Sequence, residues 1–167
     1  MKKTHLLDHH QIERKINRLA YQIYEHCALE QEIFIAGIAG NGYLVAHKIT
    51  DRLKKIGKQK IVLGKIKINK EEPLKEDAGV DFGGQDYKNK VVIVVDDVMN
   101  SGKTLIYAVK IFLEKPLKRL HTTVLVDRSH TRFPIKADFV GLSLSTTLQE
   151  RIIADLSIEG QEVVYLE

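Results

Sequence analysis

Cysteine occurs once in the 167-residue chain, as Cys27, which excludes an internal disulfide and leaves no Cys-x-x-Cys zinc pattern. No apolar run approaches the roughly 20 residues that a bilayer-spanning helix requires. The segment Met1-Lys2-Lys3-Thr4-His5-Leu6-Leu7 lacks the apolar core of a secretory signal, so the expectation is a cytoplasmic protein with no membrane segment. Repeats and low-complexity stretches are missing as well, and the length predicts one domain over 1–167. Charge is not strongly one-sided. The 26 basic and 22 acidic residues leave +4, an excess that suits an anionic ligand or RNA and demonstrates neither. Two phosphate-binding signatures are absent. Gly102-Lys103-Thr104 has the end of a Walker A loop, but that motif needs glycine at position 97, which is Asp97. The run Gly37-Ile38-Ala39-Gly40-Asn41-Gly42 does not have Gly-x-Gly-x-x-Gly spacing.

What is present centres on residues 91–104. Val91, Val92, Ile93, Val94 and Val95 are five consecutive β-branched residues, the pattern of a strand buried on both faces of a parallel sheet. Asp96 and Asp97 close it, where ligands bind in open α/β sheets. Asn100, Ser101, Gly102, Lys103 and Thr104 form a small-residue turn, and Leu105, Ile106, Val109, Phe112 and Leu113 follow at helical spacing. A helix N-terminus has unpaired N–H groups and a positive dipole end, so it holds a phosphate without a cationic side chain. Carboxylates accept hydrogen bonds from vicinal hydroxyls, or hold magnesium directly or through water. The arrangement suits a sugar phosphate.

Upstream, Asp8 and Gln11 form a variant capping box for a helix over 8–27, whose apolar stripe is Ile12, Ile16, Leu19, Ile23 and Cys27. That stripe makes Cys27 a core thiol rather than a nucleophile. Arg14, Lys15, Arg18 and Tyr21 lie on the opposite face, which reads first as a solvated surface. Glu32 to Ala36 is the next strand, and Ala39, Gly40, Asn41 and Gly42 lie in a glycine-rich turn into a second helix ending near Gly57. Such a turn favours an anion on backbone amides, against the alternative of a simple tight turn. Residues 69–89 carry no sustained periodicity and read as a long polar loop, the kind that serves as a lid.

The stretch 91–104 resembles the phosphoribosyl-pyrophosphate (PRPP) motif of type I phosphoribosyltransferases: a hydrophobic strand, two acids, a hydrophobic residue, then Ser/Thr-Gly-x-Thr. Residues 127–141, with Asp127-Arg128-Ser129-His130 and Ala137-Asp138-Phe139-Val140-Gly141, resemble the matching segment of the bifunctional pyrimidine operon attenuator and uracil phosphoribosyltransferase family. The resemblance implies a central, mostly parallel α/β sheet flanked by helices, with a small hood. It implies transfer of ribose 5-phosphate from PRPP to a nucleobase, a pyrimidine such as uracil, with magnesium bound alongside PRPP. Asp96 and Asp97 would contact the ribose, 100–104 the 5′-phosphate and Ala39 to Gly42 the pyrophosphate, while Phe139 and Val140 would line the base pocket. It also implies a homodimer and, through Arg18, Arg128, His130 and Arg132, an RNA hairpin as partner, with an ordinary basic loop as the alternative. Three departures stand out. Ala39-Gly40-Asn41 replaces the basic pyrophosphate loop of that family, Asn69-Lys70-Glu71-Glu72 replaces its Tyr-Arg-Asp-Asp, and Tyr21 replaces a histidine. The altered pyrophosphate loop leaves room for a domain that senses PRPP without turning it over.

Overall fold

The structure, a computed structural model, describes residues 3–75, 77–147 and 149–167. The chain forms β1 (Thr4–Leu7), α1 (His9–His26), β2 (Glu32–Ile38), α2 (Asn41–Ile56), β3 (Lys60–Lys67), β4 (Gly79–Asp81), β5 (Val91–Met99), α3 (Lys103–Phe112), β6 (Arg119–Asp127), β7 (Phe139–Ser143), β8 (Ile152–Asp155) and β9 (Val163–Leu166). Strands β4-β3-β2-β5-β6-β7 build one six-stranded sheet, parallel except for β4, and β1-β9-β8 build a small antiparallel hood.

The β-branched run fixes β5 at the centre. Val91, Ile93 and Val95 pack into the core beneath α1 and α2, while Val92 and Val94 pack on the α3 side; all five are fully buried. Removing a Val or Ile side chain from water contributes about 1.5–3 kcal/mol, so the two-faced burial of this strand is a large part of what holds the layers together. In α1 the Asp8 carboxylate accepts from the Gln11 amide at 2.7 Å, and Gln11 Oε1 accepts from the Asp8 amide at 2.9 Å. Ile12, Ile16, Leu19, Ile23 and Cys27 are completely buried. No helix among the described residues is long and apolar enough to cross a membrane.

Three expectations need correcting. β5 does not stop at the acids. It stays paired with β6 as far as Met99↔Asp127, while its pairing with β2 ends at Gly37↔Val95. Asp96 and Asp97 therefore sit in a strand that has lost one neighbour. Leu113 is not on the buried stripe of α3. It follows the helix and is 66% exposed, the packing face being Leu105, Ala108 and Phe112. Nor is 69–89 loop throughout. Gly79–Asp81 pairs with β3, and Phe82 and Tyr87 are buried against Phe34 and Phe112. Two aromatics spaced five apart gave no periodic signal, yet their area anchors the second half of the segment.

Candidate active site

Beyond Val95 the chain of β2 turns away, and α2 begins where that turn ends. Gly40 precedes the helix at φ +90° and supplies no side-chain cap. Gly42, in the first turn, lies so close to β5 that a Cβ would stand 2.8 Å from Asp96 Oδ1 and 3.1 Å from Asp96 Cα. On the other side of the acids, Gly102 precedes α3 at φ +80°, again without a side-chain cap. Its Cβ would meet Ile135 Cγ2 at 2.7 Å, because Arg132 and Phe133 amides donate to the Ser101 carbonyl and hold 132–135 against the turn. α1 is closed by a reciprocal box, whereas the N-cap glycines of α2 and α3 give no side-chain cap; at α3 the Lys103 amide donates to Ser101 Oγ at 3.3 Å, and the N-terminal dipole end of each helix favours an anion.

These elements enclose a cavity of about 400 Å³ lined by Asn41, Lys70, 96–105 and Ile152, Ile153 and Ala154 of the hood. Asp96 is 4% exposed, and its Oδ1 accepts the Asp97 amide at 3.0 Å. Burial, together with the Asp97 charge, pushes its pKa up to about 8 against the pull of Lys70. Lys70 Nζ lies 3.3 Å from Asp96 Oδ1 and 3.6 Å from Asp97 Oδ1. Burial disfavours that ammonium, but the two carboxylates outweigh it and raise its pKa. The pair thus already faces one cation, and its oxygens have the hard donor chemistry that suits another.

The structure brings Asp96, Asp97, Asn100, Ser101, Gly102, Lys103 and Thr104 to one cavity. Of Ala39, Gly40, Asn41 and Gly42, Asn41 lines it, and its amide donates to the Ala154 carbonyl at 2.7 Å, tying α2 to the hood. Phe139 does not line the cavity. It is 5% exposed in the core, with its ring against His26 and His121, and neighbouring Val140 packs on the α3-side core. The base-pocket expectation is corrected accordingly, because β7 buries Phe139 where it pairs with β6. Arg18 donates to the Val140 and Gly141 carbonyls at 2.8 and 2.5 Å. Arg128, 9% exposed, donates to Thr146 Oγ1 and the Thr147 carbonyl at 2.5 and 2.7 Å. Both guanidiniums are bound internally, while His130 is half-buried and Arg132 is exposed. The hood wall Ile152-Ile153-Ala154 was not singled out from sequence; its apolar run after Arg151 was the available signal.

The parallel sheet with an acid pair between two glycine-led helix N-termini suits a sugar phosphate, and the chain belongs to the phosphoribosyl transferase domain family, which matches residues 3–158. It is a PRPP-dependent enzyme of the type I fold that moves ribose 5-phosphate to a nucleobase and releases pyrophosphate. Nearly full-length similarity extends to proteins named bifunctional protein PyrR. That of Streptococcus suis is 34% identical, covering 99% of this chain and 98% of its own, and that of Clostridium acetobutylicum is 32% identical, covering 90% and 88%. The fold matches a hypoxanthine-guanine phosphoribosyltransferase of Bacillus anthracis (TM-score 0.78, 20% identity, 97% and 96% covered). It also matches the hypoxanthine phosphoribosyltransferase of Trypanosoma cruzi (TM-score 0.78, 18% identity, 98% and 96% covered).

Proposed function

We propose that the cavity binds PRPP and that the accepting base is a pyrimidine, uracil first. The observation that carries the placement is the pair of glycine-led helix N-termini on either side of Asp96 and Asp97. The α3 end, with the Ser101 and Thr104 hydroxyls, takes the 5′-phosphate, and the α2 end offers backbone N–H groups to the pyrophosphate. Asp96 and Asp97 accept from the ribose hydroxyls and stabilise the positive charge that develops at C1 as the bond to pyrophosphate breaks. Ile152, Ile153 and Ala154 exclude water from that carbon. Magnesium fits the acid pair, which already attracts an ammonium, and when bound it would neutralise charge on the leaving group. Uracil as acceptor is supported by the resemblance of residues 127–141 to the pyrimidine operon attenuator and uracil phosphoribosyltransferase family.

A second role in RNA binding is supported by α1. Arg14 and Arg18 crowd Lys15 there and, after burial, are the causes that lower its pKa, marking a concentrated positive face. Arg18 and Arg128 serve that role less than their positions in sequence imply, because internal carbonyls use their donors. A homodimer is the assembly expected for such a protein.

Pyrophosphate release from magnesium-PRPP, measured with uracil, hypoxanthine, guanine, adenine and orotate in turn, tests the reading. Release with uracil alone is the expected result. Release with a purine alone would overturn the pyrimidine assignment. Silence with all five, alongside salt-dependent retention of an RNA hairpin, would make regulation the primary role.

A further inference from the structure

The hood meets the cavity through one edge strand, β8, the outer member of the β1-β9-β8 sheet. The Arg151 amide donates to the Glu167 carbonyl at 2.7 Å, and the Glu167 amide to the Arg151 carbonyl at 2.9 Å. Ile152↔Leu166, Ile153↔Tyr165 and Ala154↔Val164 follow in register, so the alternation of an antiparallel pair turns the Ala154 carbonyl away from β9. Ala154 is 6% exposed, and a buried carbonyl needs a partner within the protein. The Asn41 side-chain amide supplies it at 2.7 Å. Asn41, the first residue of α2, is itself fixed to the sheet on both sides. Before it the Ala39 amide donates to the Ile66 carbonyl of β3 at 2.9 Å, and after it Gly42 abuts Asp96.

We propose that Asn41 is a positioning residue: by holding Ala154 it keeps the wall Ile152–Ala154 against the sheet and directs the sugar to the base rather than to water. The inference rests on the reading of the cavity as a PRPP site. A sugar carbon that develops positive charge reacts with whichever nucleophile reaches it. Attack by a ring nitrogen of the base forms the C1–N bond and breaks the C1–O bond to pyrophosphate. Attack by water breaks that same bond but forms a C1–OH, passes a proton to solvent, and yields ribose 5-phosphate with the same pyrophosphate. Only the position of the wall separates the two outcomes, because both use the same acids and the same leaving group. An amide suits the task at position 41. It donates to the carbonyl without setting a charge against the apolar wall, and its anchor in the turn between β2 and α2 ties the hood to the end of the cavity assigned to the leaving group.

Pyrophosphate release from magnesium-PRPP, measured with and without uracil (or the base that replaces it) in the wild type and in Asn41→Ala, tests the role. The ratio of base-independent to base-dependent release is expected to rise about tenfold in the variant, the order of one lost hydrogen bond. Affinity for ribose 5-phosphate, which carries no diphosphate, should stay at the wild-type value and shows that the variant is folded. Asn41→Gln, which keeps the donor on a longer arm, should recover part of the ratio. If Asn41→Ala does not bind ribose 5-phosphate, Asn41→Asp, which keeps the shape but cannot donate, serves for the same comparison. An unchanged ratio, with both rates falling together, would overturn the proposal and confine Asn41 to the diphosphate or the scaffold. A wild type that releases pyrophosphate with no base at all among those tested would overturn the transferase reading and this role together.

Discussion

At the residue scale, the site is maintained against the stability of the fold. Asp96 is buried in a strand whose neighbours are Val94, Val95 and Val98, beside a second carboxyl. Because its folded pKa, about 8, lies above the ordinary 3.8, the folded state binds this proton more tightly than the unfolded chain does. Its contribution to stability is present below pH 3.8 and is lost as pH rises through about 8. Asp96→Asn is therefore expected to melt higher than the wild type at pH 8–9, with the gap narrowing towards pH 5, while PRPP binding is lost. Melting curves across that range check it, and a variant less stable at every pH would assign the carboxylate to the scaffold. Sequence exposed this residue because the two acids after the β-branched run stand in a stretch, 91–104, that resembles the PRPP motif. It misplaced Phe139, because an aromatic next to a motif looks the same whether it faces a ligand or, as here, the His26 and His121 rings.

At the element scale, capping divides the helices by task. The start of α1 was readable to the residue, since Asp8 and Gln11 are chemically committed to one another. The openness of α2 and α3 was readable only as glycine content; that Gly42 lets α2 come within van der Waals reach of Asp96 needed the packed structure. Gly102 carries two demands at once, a left-handed φ of +80° and the approach of Ile135. Gly102→Ala is expected to cost about 1–3 kcal/mol in chemical denaturation and to weaken 5′-phosphate binding. Combining it with Ile135→Ala should relieve the clash but not the backbone strain, recovering part of the stability. Full recovery would show that the left-handed backbone is not strained by a side chain. The 69–89 segment was the least legible element, because its order comes from Phe82 and Tyr87 meeting Phe112 across long sequence distance, and no local pattern announces such a contact.

At the scale of the whole molecule, the hood is secured to α1 and α2 by a charged network. The Glu162 side chain is fully buried, with Lys48 Nζ at 2.8 Å and His9 Nδ1 at 2.5 Å, and Lys48 and Arg52 of α2 also bind Glu13 of α1. Burial opposes the Glu162 charge, but hydrogen bonds from Lys48, its own backbone and His9 overcome it and hold the pKa down at about 2. Its contribution is complete above the ordinary 4.5 and is lost as pH falls through about 2. Glu162→Gln is expected to lose roughly 1–3 kcal/mol near pH 7, less than a fully enclosed pair because His9 and Lys48 retain solvent contact. Denaturation at pH 7 and pH 2 should show the deficit vanish in acid, and a deficit that persists there would trace to packing instead. The hood also joins Thr4 to Leu166, pairing strands from the two ends of the described chain. Contacts so distant in sequence form late, and a chain emerging from the ribosome completes the six-stranded sheet before β8 and β9 exist. A released chain truncated after residue 145 should therefore display the acid pair and both glycine-led helix ends without a roof, so that the molecule acquires its recognition surface first and its enclosure last.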